Sequence, residues 1–305
     1  MMRTLALGLL VGLSLGSSVA TADSSKAWTA AKKVIPANME MVGGVNAASA
    51  HNSALYQALL PMAIAKAGDA TGELDGIKAD CGIDVINSID SVVFGLDASQ
   101  KGTMVIAFRG VTRQKLEACL VRRAKDKGKT LKVETANGLT TYSGMNDKML
   151  FTRWIGNDVV ALSTQPDDKD STIAATAGGV TSDRSLHGLA AVNTGASLWL
   201  VTNKSSDVPA DLGGGKMVGA YMSANLAAGA VNLDAHVAVD SPATATTVAT
   251  KSTAQLVEMT KPNSFTSGYA DLLKTVRVAA AASEVLVTAQ VPEQALLGVV
   301  QAFVH

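Results

Sequence analysis

A hairpin of two strands followed by a helix recurs three times along this chain, and this pattern restricts the folds available to it. The predicted elements are strands 89–97 and 103–108 with helix 112–125, strands 216–226 and 229–239 with a helix from Pro242, and strands 276–280 and 284–290 with a helix from Pro292. Proline suits the first helical turn, where its missing N–H leaves no hydrogen bond unmade. Because hairpin strands pair antiparallel, the sequence predicts an α+β fold: antiparallel sheets built from repeated strand-strand-helix units, with helices covering one face.

The second hairpin shows the alternation of apolar and polar residues most clearly. Its apolar set is Val231, Leu233, Ala235, Val237 and Val239, and its polar set is Asn232, Asp234, His236 and Asp240. Successive side chains of a strand point to opposite faces. The alternation therefore predicts one buried face and one solvated face.

The first 22 residues have the features of a signal peptide that is removed during export. Arg3 is followed by an apolar run at 5–15 that is too short to span a bilayer, and Ala20-Thr21-Ala22 supplies a small-x-small cleavage pattern. The alternative is a membrane anchor. We expect residues 1–22 to be a signal peptide and 23–36 a polar leader, with no transmembrane segment after signal removal.

The mature chain is long enough for two α+β halves, 37–180 and 181–305. The region 178–193 is the candidate boundary between them. The alternative is one continuous domain with a single sheet across both halves. The sequence favours neither arrangement.

Cys81 and Cys119 are predicted to form a structural disulfide, because export places them in an oxidising compartment. Leu74, Ile77 and Cys81 have helical spacing, and Cys119 lies in the apolar stripe of another predicted helix. A bridge between these positions, 38 residues apart, is expected to stabilise the fold by about 4 kcal/mol on chain-entropy grounds. The alternative is two separate buried thiols.

The charge of the chain is balanced overall but concentrated locally. There are 26 Lys plus Arg residues against 26 Asp plus Glu, and only 4% of residues are aromatic, which argues against nucleic-acid binding. A basic cluster on and beside predicted helix 112–125 is the candidate patch for an anionic partner, and it comprises Arg109, Arg113, Lys115, Arg122 and Arg123. The alternative is an ordinary solvated helix face.

The sequence contains no recognisable catalytic, cofactor or metal motif. The four histidines, His51, His187, His236 and His305, are scattered, and none has a second ligand at helical spacing. Asp234 and His236 share a strand face, which is compatible with a weak surface metal site or, alternatively, with a polar cross-strand pair. We therefore predict no catalytic residue, no cofactor and no dedicated metal site.

These features favour an exported, non-catalytic interaction module of a bacterial envelope or the extracellular space, with a protein or envelope partner. The periplasm and the exterior are equally compatible with the sequence. One alternative is a carrier of a small apolar or lipid ligand between sheet and helices, with a wall formed by Met39, Met41, Met62 and Met104. The other is a hydrolase with a scattered active site, which requires a histidine beside a carboxylate in a deep pocket.

Overall fold

The computed structural model describes residues 25–58, 70–144, 149–227, 229–261 and 270–304. The helices are α1 (Lys26–Val34), α2 (Ala47–Ala50), α3 (Ala70–Cys81), α4 (Arg113–Asp126), α5 (Lys169–Ala175), α6 (Pro242–Met259), α7 (Ala270–Leu273) and α8 (Glu293–Val304). The strands are β1 (Met41–Val45), β2 (Ile89–Leu96), β3 (Gly102–Phe108), β4 (Lys132–Ala136), β5 (Leu139–Ser143), β6 (Leu150–Ile155), β7 (Val159–Ser163), β8 (Leu198–Thr202), β9 (Ser206–Asp207), β10 (Lys216–Ala227), β11 (Ala230–Val239), β12 (Arg277–Ala281) and β13 (Glu284–Pro292). A further helical segment lies at 54–58.

The strands form one large antiparallel sheet. Its order is β12-β13-β11-β10-β8-β1-β2-β3-β7-β6-β5-β4, and β9 pairs with β10 outside this path. Strand β1 pairs with both β2 and β8, so this contact joins the strands that precede residue 180 to those that follow it. Helices together with an antiparallel sheet confirm the predicted α+β class. The division into halves 37–180 and 181–305 stays a prediction.

The three predicted hairpins correspond to β2–β3, β10–β11 and β12–β13, and the strands of each pair antiparallel. In the chain they are followed by α4, α6 and α8 respectively. Ser241 caps α6 by accepting a hydrogen bond from the Thr244 N–H, and Pro242 occupies the first helical turn. Local signals in the sequence therefore specify where this helix begins.

Helix α1 belongs to the hydrophobic core, which corrects the prediction that residues 23–36 are a leader. Its N-cap is Ser25, whose side chain accepts a hydrogen bond from the Trp28 N–H. The side chains that it buries are Ala27, Trp28, Ala30, Ala31 and Val34. They have the spacing of an amphipathic helix, but alanine supplies most of them, and alanine gives only a weak hydropathy signal.

The sheet carries helices on both of its faces. Directly paired residues of neighbouring strands point to the same face, and successive residues alternate. Val93, Gly44 and Trp199 are paired in this way across β2, β1 and β8, and the Trp199 ring contacts Trp28 of α1. We call this side of the sheet the tryptophan face.

Helices α4 and α6 pack on the opposite face. Ile106 of β3 and Val160 of β7 pair with each other and lie one position away from Val93 in the register, so their side chains point to the face opposite Val93. On that face they pack with α4. By the same alternation, Val237 and Val285 lie on this opposite face, where they pack with α6. The predicted arrangement with helices on one face does not hold for the sheet as a whole, because α1 buries its apolar stripe against the tryptophan face.

Glu293, the first residue of α8, connects this helix to the segment 53–58. The residue is only 5% exposed, and its Oε1 accepts hydrogen bonds from the Ser53 hydroxyl and, at 2.7 Å, from the Leu55 N–H. The Glu293 N–H donates to the Gly229 carbonyl at 3.0 Å. The hydrogen bond from Ser53, and after it that from Leu55, lowers the pKa of Glu293, because both stabilise the charged carboxylate.

Glu293→Gln is expected to lower the free energy of unfolding at neutral pH by about 2 kcal/mol, because the charge-assisted hydrogen bonds to the carboxylate are lost. A carboxyl group with a lowered pKa stabilises the fold above its unfolded-state pKa, and this contribution disappears as the pH falls through the folded-state pKa. The difference between the two proteins should therefore shrink in acid. Urea unfolding from neutral pH to about pH 3 measures it, and a difference that stays constant contradicts the assignment.

Candidate anion-binding cleft

The candidate site lies beside a covalent bond between two helices. Cys81 is the last residue of α3, and Cys119 lies in the middle of α4 with 4% exposure. Their sulfur atoms form a disulfide, with 5.8 Å between the Cα atoms and a sequence separation of 38 residues. The predicted pairing is present, and it fixes the C-terminal end of α3 against α4.

Two members of the predicted basic patch are engaged in ion pairs within the fold. Arg123 is 5% exposed, and its guanidinium contacts Asp80 at 2.7 Å and Glu73 at 3.2 Å, both on α3. Arg113 contacts Glu117 at 2.7 Å, one turn further along α4. Arg113 also donates to the Thr135 hydroxyl of β4 at 2.8 Å. The two arginines therefore connect α4 to neighbouring elements.

The other three members of the patch, Arg109, Lys115 and Arg122, line a common cleft of about 640 Å³, which we call the cation cleft. Its remaining lining residues are Cys81, Gly82, Ile83, Asp84, Ser88, Gly110, Val111, Ala118 and Cys119. All three cationic residues are exposed. In the part of the chain that the structure describes, no carboxylate forms an ion pair with any of them.

The geometry of α4 explains which cations reach the cleft. One stripe of this helix, at positions i, i+3, i+4 and i+7, consists of Lys115, Ala118, Cys119 and Arg122. Arg109 joins them from the turn after β3, because Gly110 adopts a φ of 74° that redirects the chain toward α4. Thr112 then caps α4 with its side chain. The turn and the cap thus bring Arg109 beside the stripe.

One carboxylate, Asp84, also lines the cation cleft, but its charge is compensated. It contacts the Lys78 Nζ at 2.6 Å and accepts hydrogen bonds from the Asn87 N–H at 3.1 Å and the Asn87 side-chain amide at 2.9 Å. The hydrogen bond with Lys78, together with those from Asn87, lowers the pKa of Asp84 to about 2. The lining of the cation cleft therefore has a net positive charge at neutral pH.

His236 lies among polar side chains of three adjacent strands. Its Nδ1 is 2.9 Å from Glu284 Oε2, and its Nε2 is 3.4 Å from Asp234 Oδ1. The Tyr221 ring stacks on the imidazole with centroids 4.4 Å apart, and the Tyr221 hydroxyl donates to Glu284 at 3.3 Å. Burial, and after it the charge of Glu284, raises the pKa of Tyr221 to about 12. This cluster ties β10, β11 and β13 together.

The other histidines lie apart from His236. The His51 ring is 6.4 Å from the Tyr56 ring, His187 lines a different cleft, and His305 lies outside the described residues. Among the described contacts of His236 there is no Ser, Thr or Cys nucleophile. No three His, Cys, Asp or Glu residues in the described ranges are arranged to hold a metal ion.

A separate cleft of about 620 Å³ is mainly apolar. Its lining residues are Glu73, Leu120, Lys127, Lys129, Leu131, Tyr142, Ser143, Met149, Leu150, Pro166 and Asp167. The described methionines of the predicted carrier wall lie elsewhere. Met39 is buried in the core, Met41 and Met104 are half-buried in strands, and Met62 lies outside the described residues.

The fold and the cation cleft define a class of protein: an antiparallel α+β protein with one extended sheet, a disulfide between two helices and a concave cationic surface. Across the described ranges, none of the helices combines the length and the apolar character needed to cross a bilayer.

Comparison with known proteins adds a likeness in fold. No family model matches the chain, and no curated protein matches it in sequence. Crystal form IV of TP0453 is similar, with a TM-score of 0.51 and 7% identity over 93% of this chain and 99% of that chain. Crystal forms I and III of TP0453 give TM-scores of 0.47 at 8% identity, over 89% of this chain and 96% and 97% of theirs. At this identity, the likeness to form IV concerns the fold alone.

Proposed function

We propose that this protein is an exported, non-catalytic interaction module that binds an anionic partner in the envelope of a bacterial cell or outside it. The signal-peptide features of residues 1–22 support export. The disulfide supports it independently, because such bonds are typical of proteins that fold in an oxidising compartment. The periplasm and the extracellular space both satisfy these features.

The cation cleft is the observation that carries the proposal. The whole chain is neutral, with 26 basic against 26 acidic residues, so its long-range field is weak. Arg109, Lys115 and Arg122 concentrate positive charge at one concave surface. Guanidinium groups form bidentate hydrogen bonds with phosphate, sulfate and carboxylate. We therefore expect a partner with several closely spaced anionic groups, such as a phosphorylated head group or a polyanion.

The double variant Arg109→Gln, Arg122→Gln is expected to bind tripolyphosphate about a hundredfold more weakly than the wild type, since each charge-assisted hydrogen bond contributes about tenfold. Isothermal titration calorimetry of the intact, oxidised protein measures this difference. Wild-type affinity should also fall as salt is added, because the cationic residues are exposed.

A second double variant, Lys251→Gln with Arg277→Gln, is the matched control. Both residues are exposed, on α6 and β12, and removing them changes the net charge by the same amount. We expect this variant to bind tripolyphosphate like the wild type. Equal losses in the two double variants would assign binding to net charge rather than to the cation cleft, and absence of wild-type binding would also contradict the proposal.

A carrier of a small apolar or lipid ligand is the second candidate function, favoured by the apolar cleft. Met149 and Leu150 line this cleft while remaining 51% and 38% exposed, respectively, so an apolar ligand bound there would remove apolar side-chain surface from water. Native mass spectrometry after mild extraction tests it. A bound apolar compound supports the carrier, and a ligand-free protein argues against it.

We also propose that the three strand-strand-helix units arose by an early duplication, with the helix of each unit covering one face of its own hairpin. The shared chain order of hairpin and helix supports this origin. Superposition of the three units is the test, since a duplication predicts the same angle between each hairpin and its helix.

A further inference from the structure

A second cationic cleft lies on the tryptophan face, between α1 and the segment 180–194. It encloses about 590 Å³, a volume within the range of small-molecule sites. We call it the tryptophan cleft and define it by six of its lining residues: Trp28, Lys32, Arg184, Leu186, His187 and Val192. Helix α4, which forms the cation cleft, packs on the opposite face of the sheet. The two clefts are therefore separate sites.

Three basic side chains border the tryptophan cleft. Lys32 Nζ lies 5.3 Å from the centroid of the Trp28 ring, a cation–π contact that places its charge at the cleft wall. Arg184 and His187 are exposed, and a histidine ring offers an N–H donor in either tautomer. Considering only the described residues, none of the three forms an ion pair with a carboxylate.

The acidic residue in the wall of the tryptophan cleft, Asp183, already accepts hydrogen bonds within the fold. Its carboxylate accepts hydrogen bonds from the Asn38 N–H at 2.6 Å, the Ser185 N–H at 2.9 Å and the Ser185 hydroxyl at 2.6 Å. These donors satisfy the carboxylate within the fold. The carboxylate keeps its negative charge, so Lys32 and Arg184 together with Asp183 leave the cleft with one net positive charge.

The floor of the tryptophan cleft is apolar. Leu186 is 2% exposed, Val192 is 8% exposed, and both belong to the core cluster that contains Trp28. Leu189, which is half-buried, and Ala190, which is exposed, line the cleft beside them. A ligand with an apolar body removes the exposed surface of Leu189 and Ala190 from water, which is favourable.

We propose that the tryptophan cleft binds a small organic acid that carries one carboxylate on an apolar ring or chain. The carboxylate binds Arg184 and Lys32, and the apolar body lies on Leu189 and Ala190. An inorganic anion can bind only to the charges of Lys32 and Arg184. A neutral apolar compound can contact only the apolar floor of the cleft. The cleft therefore selects compounds that combine both features.

The probe for this proposal is 2-naphthoate. It is compared with 2-naphthalenemethanol, which has the ring without the charge, and with acetate, which has the charge without the ring. Isothermal titration of the full oxidised protein is expected to show affinity for 2-naphthoate at least about tenfold above that for either comparison compound. Arg184→Gln and Lys32→Gln are each expected to weaken 2-naphthoate binding about tenfold, the effect of losing one charge-assisted hydrogen bond.

Arg122→Gln, which neutralises a matched charge in the cation cleft, is expected to leave 2-naphthoate binding unchanged. Lys32 and Arg184 are exposed, so all three variants should unfold at the wild-type temperature. Equal affinity for 2-naphthalenemethanol, wild-type affinity in the Arg184→Gln variant, or an equal loss in the Arg122→Gln variant overturns the proposal. Absence of 2-naphthoate binding to the folded wild type also overturns it, whatever the outcome with tripolyphosphate.

Discussion

Trp199→Ala is expected to lower the free energy of unfolding by about 3–5 kcal/mol, the range for truncating a large buried aromatic side chain. Trp199 is 4% exposed, and its ring makes an edge contact with Trp28 at a centroid distance of 5.0 Å. The Trp199 ring packs directly against the β1 backbone at Gly44, where a Cβ would overlap the indole. Removing the ring leaves a cavity between α1 and the sheet that these elements do not fill.

Urea unfolding followed by far-UV circular dichroism measures this change, since tryptophan fluorescence is altered by the substitution itself. Leu198→Ala is the matched control, because Leu198 is the adjacent residue of β8, points to the opposite face and is 37% exposed. The control should change the free energy of unfolding by less than about 1 kcal/mol. If Trp199→Ala costs no more than Leu198→Ala, the tryptophan pair is not a main contact of the core.

Replacing both Cys81 and Cys119 by alanine is expected to lower the free energy of unfolding by about 4 kcal/mol, because the bridge closes a loop with a separation of 38 residues. The ion pairs of Arg123 with Asp80 and Glu73 still connect α3 to α4 in the variant. The native arrangement should therefore persist with reduced stability.

Guanidinium unfolding of the oxidised wild type, the reduced wild type and the double alanine variant measures the effect of the disulfide. The reductant should destabilise the wild type and leave the variant unchanged. A variant within about 1 kcal/mol of the oxidised wild type would show that the bridge adds little to the fold.

Local patterns in the sequence were sufficient for the hairpins, whereas the disulfide was one of two alternatives for Cys81 and Cys119. The alternation in β11 and the proline that begins α6 depend on neighbouring residues only, and both predict the observed elements. The pairing of β1 with β8 brings together residues far apart in the chain, such as Gly44 and Trp199, and no local pattern encodes such a register. Helix α1 was missed because its buried stripe is mostly alanine.

The sequence could predict which basic residues the candidate site contains, but it could not predict how the fold arranges them. Helical spacing separates Lys115 and Arg122 from Arg113, and this signal is available in the sequence. The burial of Arg123 depends on α3 packing against α4, which the sequence does not specify. The tryptophan cleft was not predictable, because its two walls lie about 150 residues apart in the chain and meet only in the folded protein.

Backbone amide chemical-shift mapping during titration with tripolyphosphate locates the anion-binding site residue by residue. If the cation cleft is the binding site, the largest shifts fall on Gly82, Gly110 and residues 115–122 of α4, and they vanish in the Arg109→Gln, Arg122→Gln variant. Shifts spread over lysines on both faces of the sheet, or no shifts at all, would contradict the account.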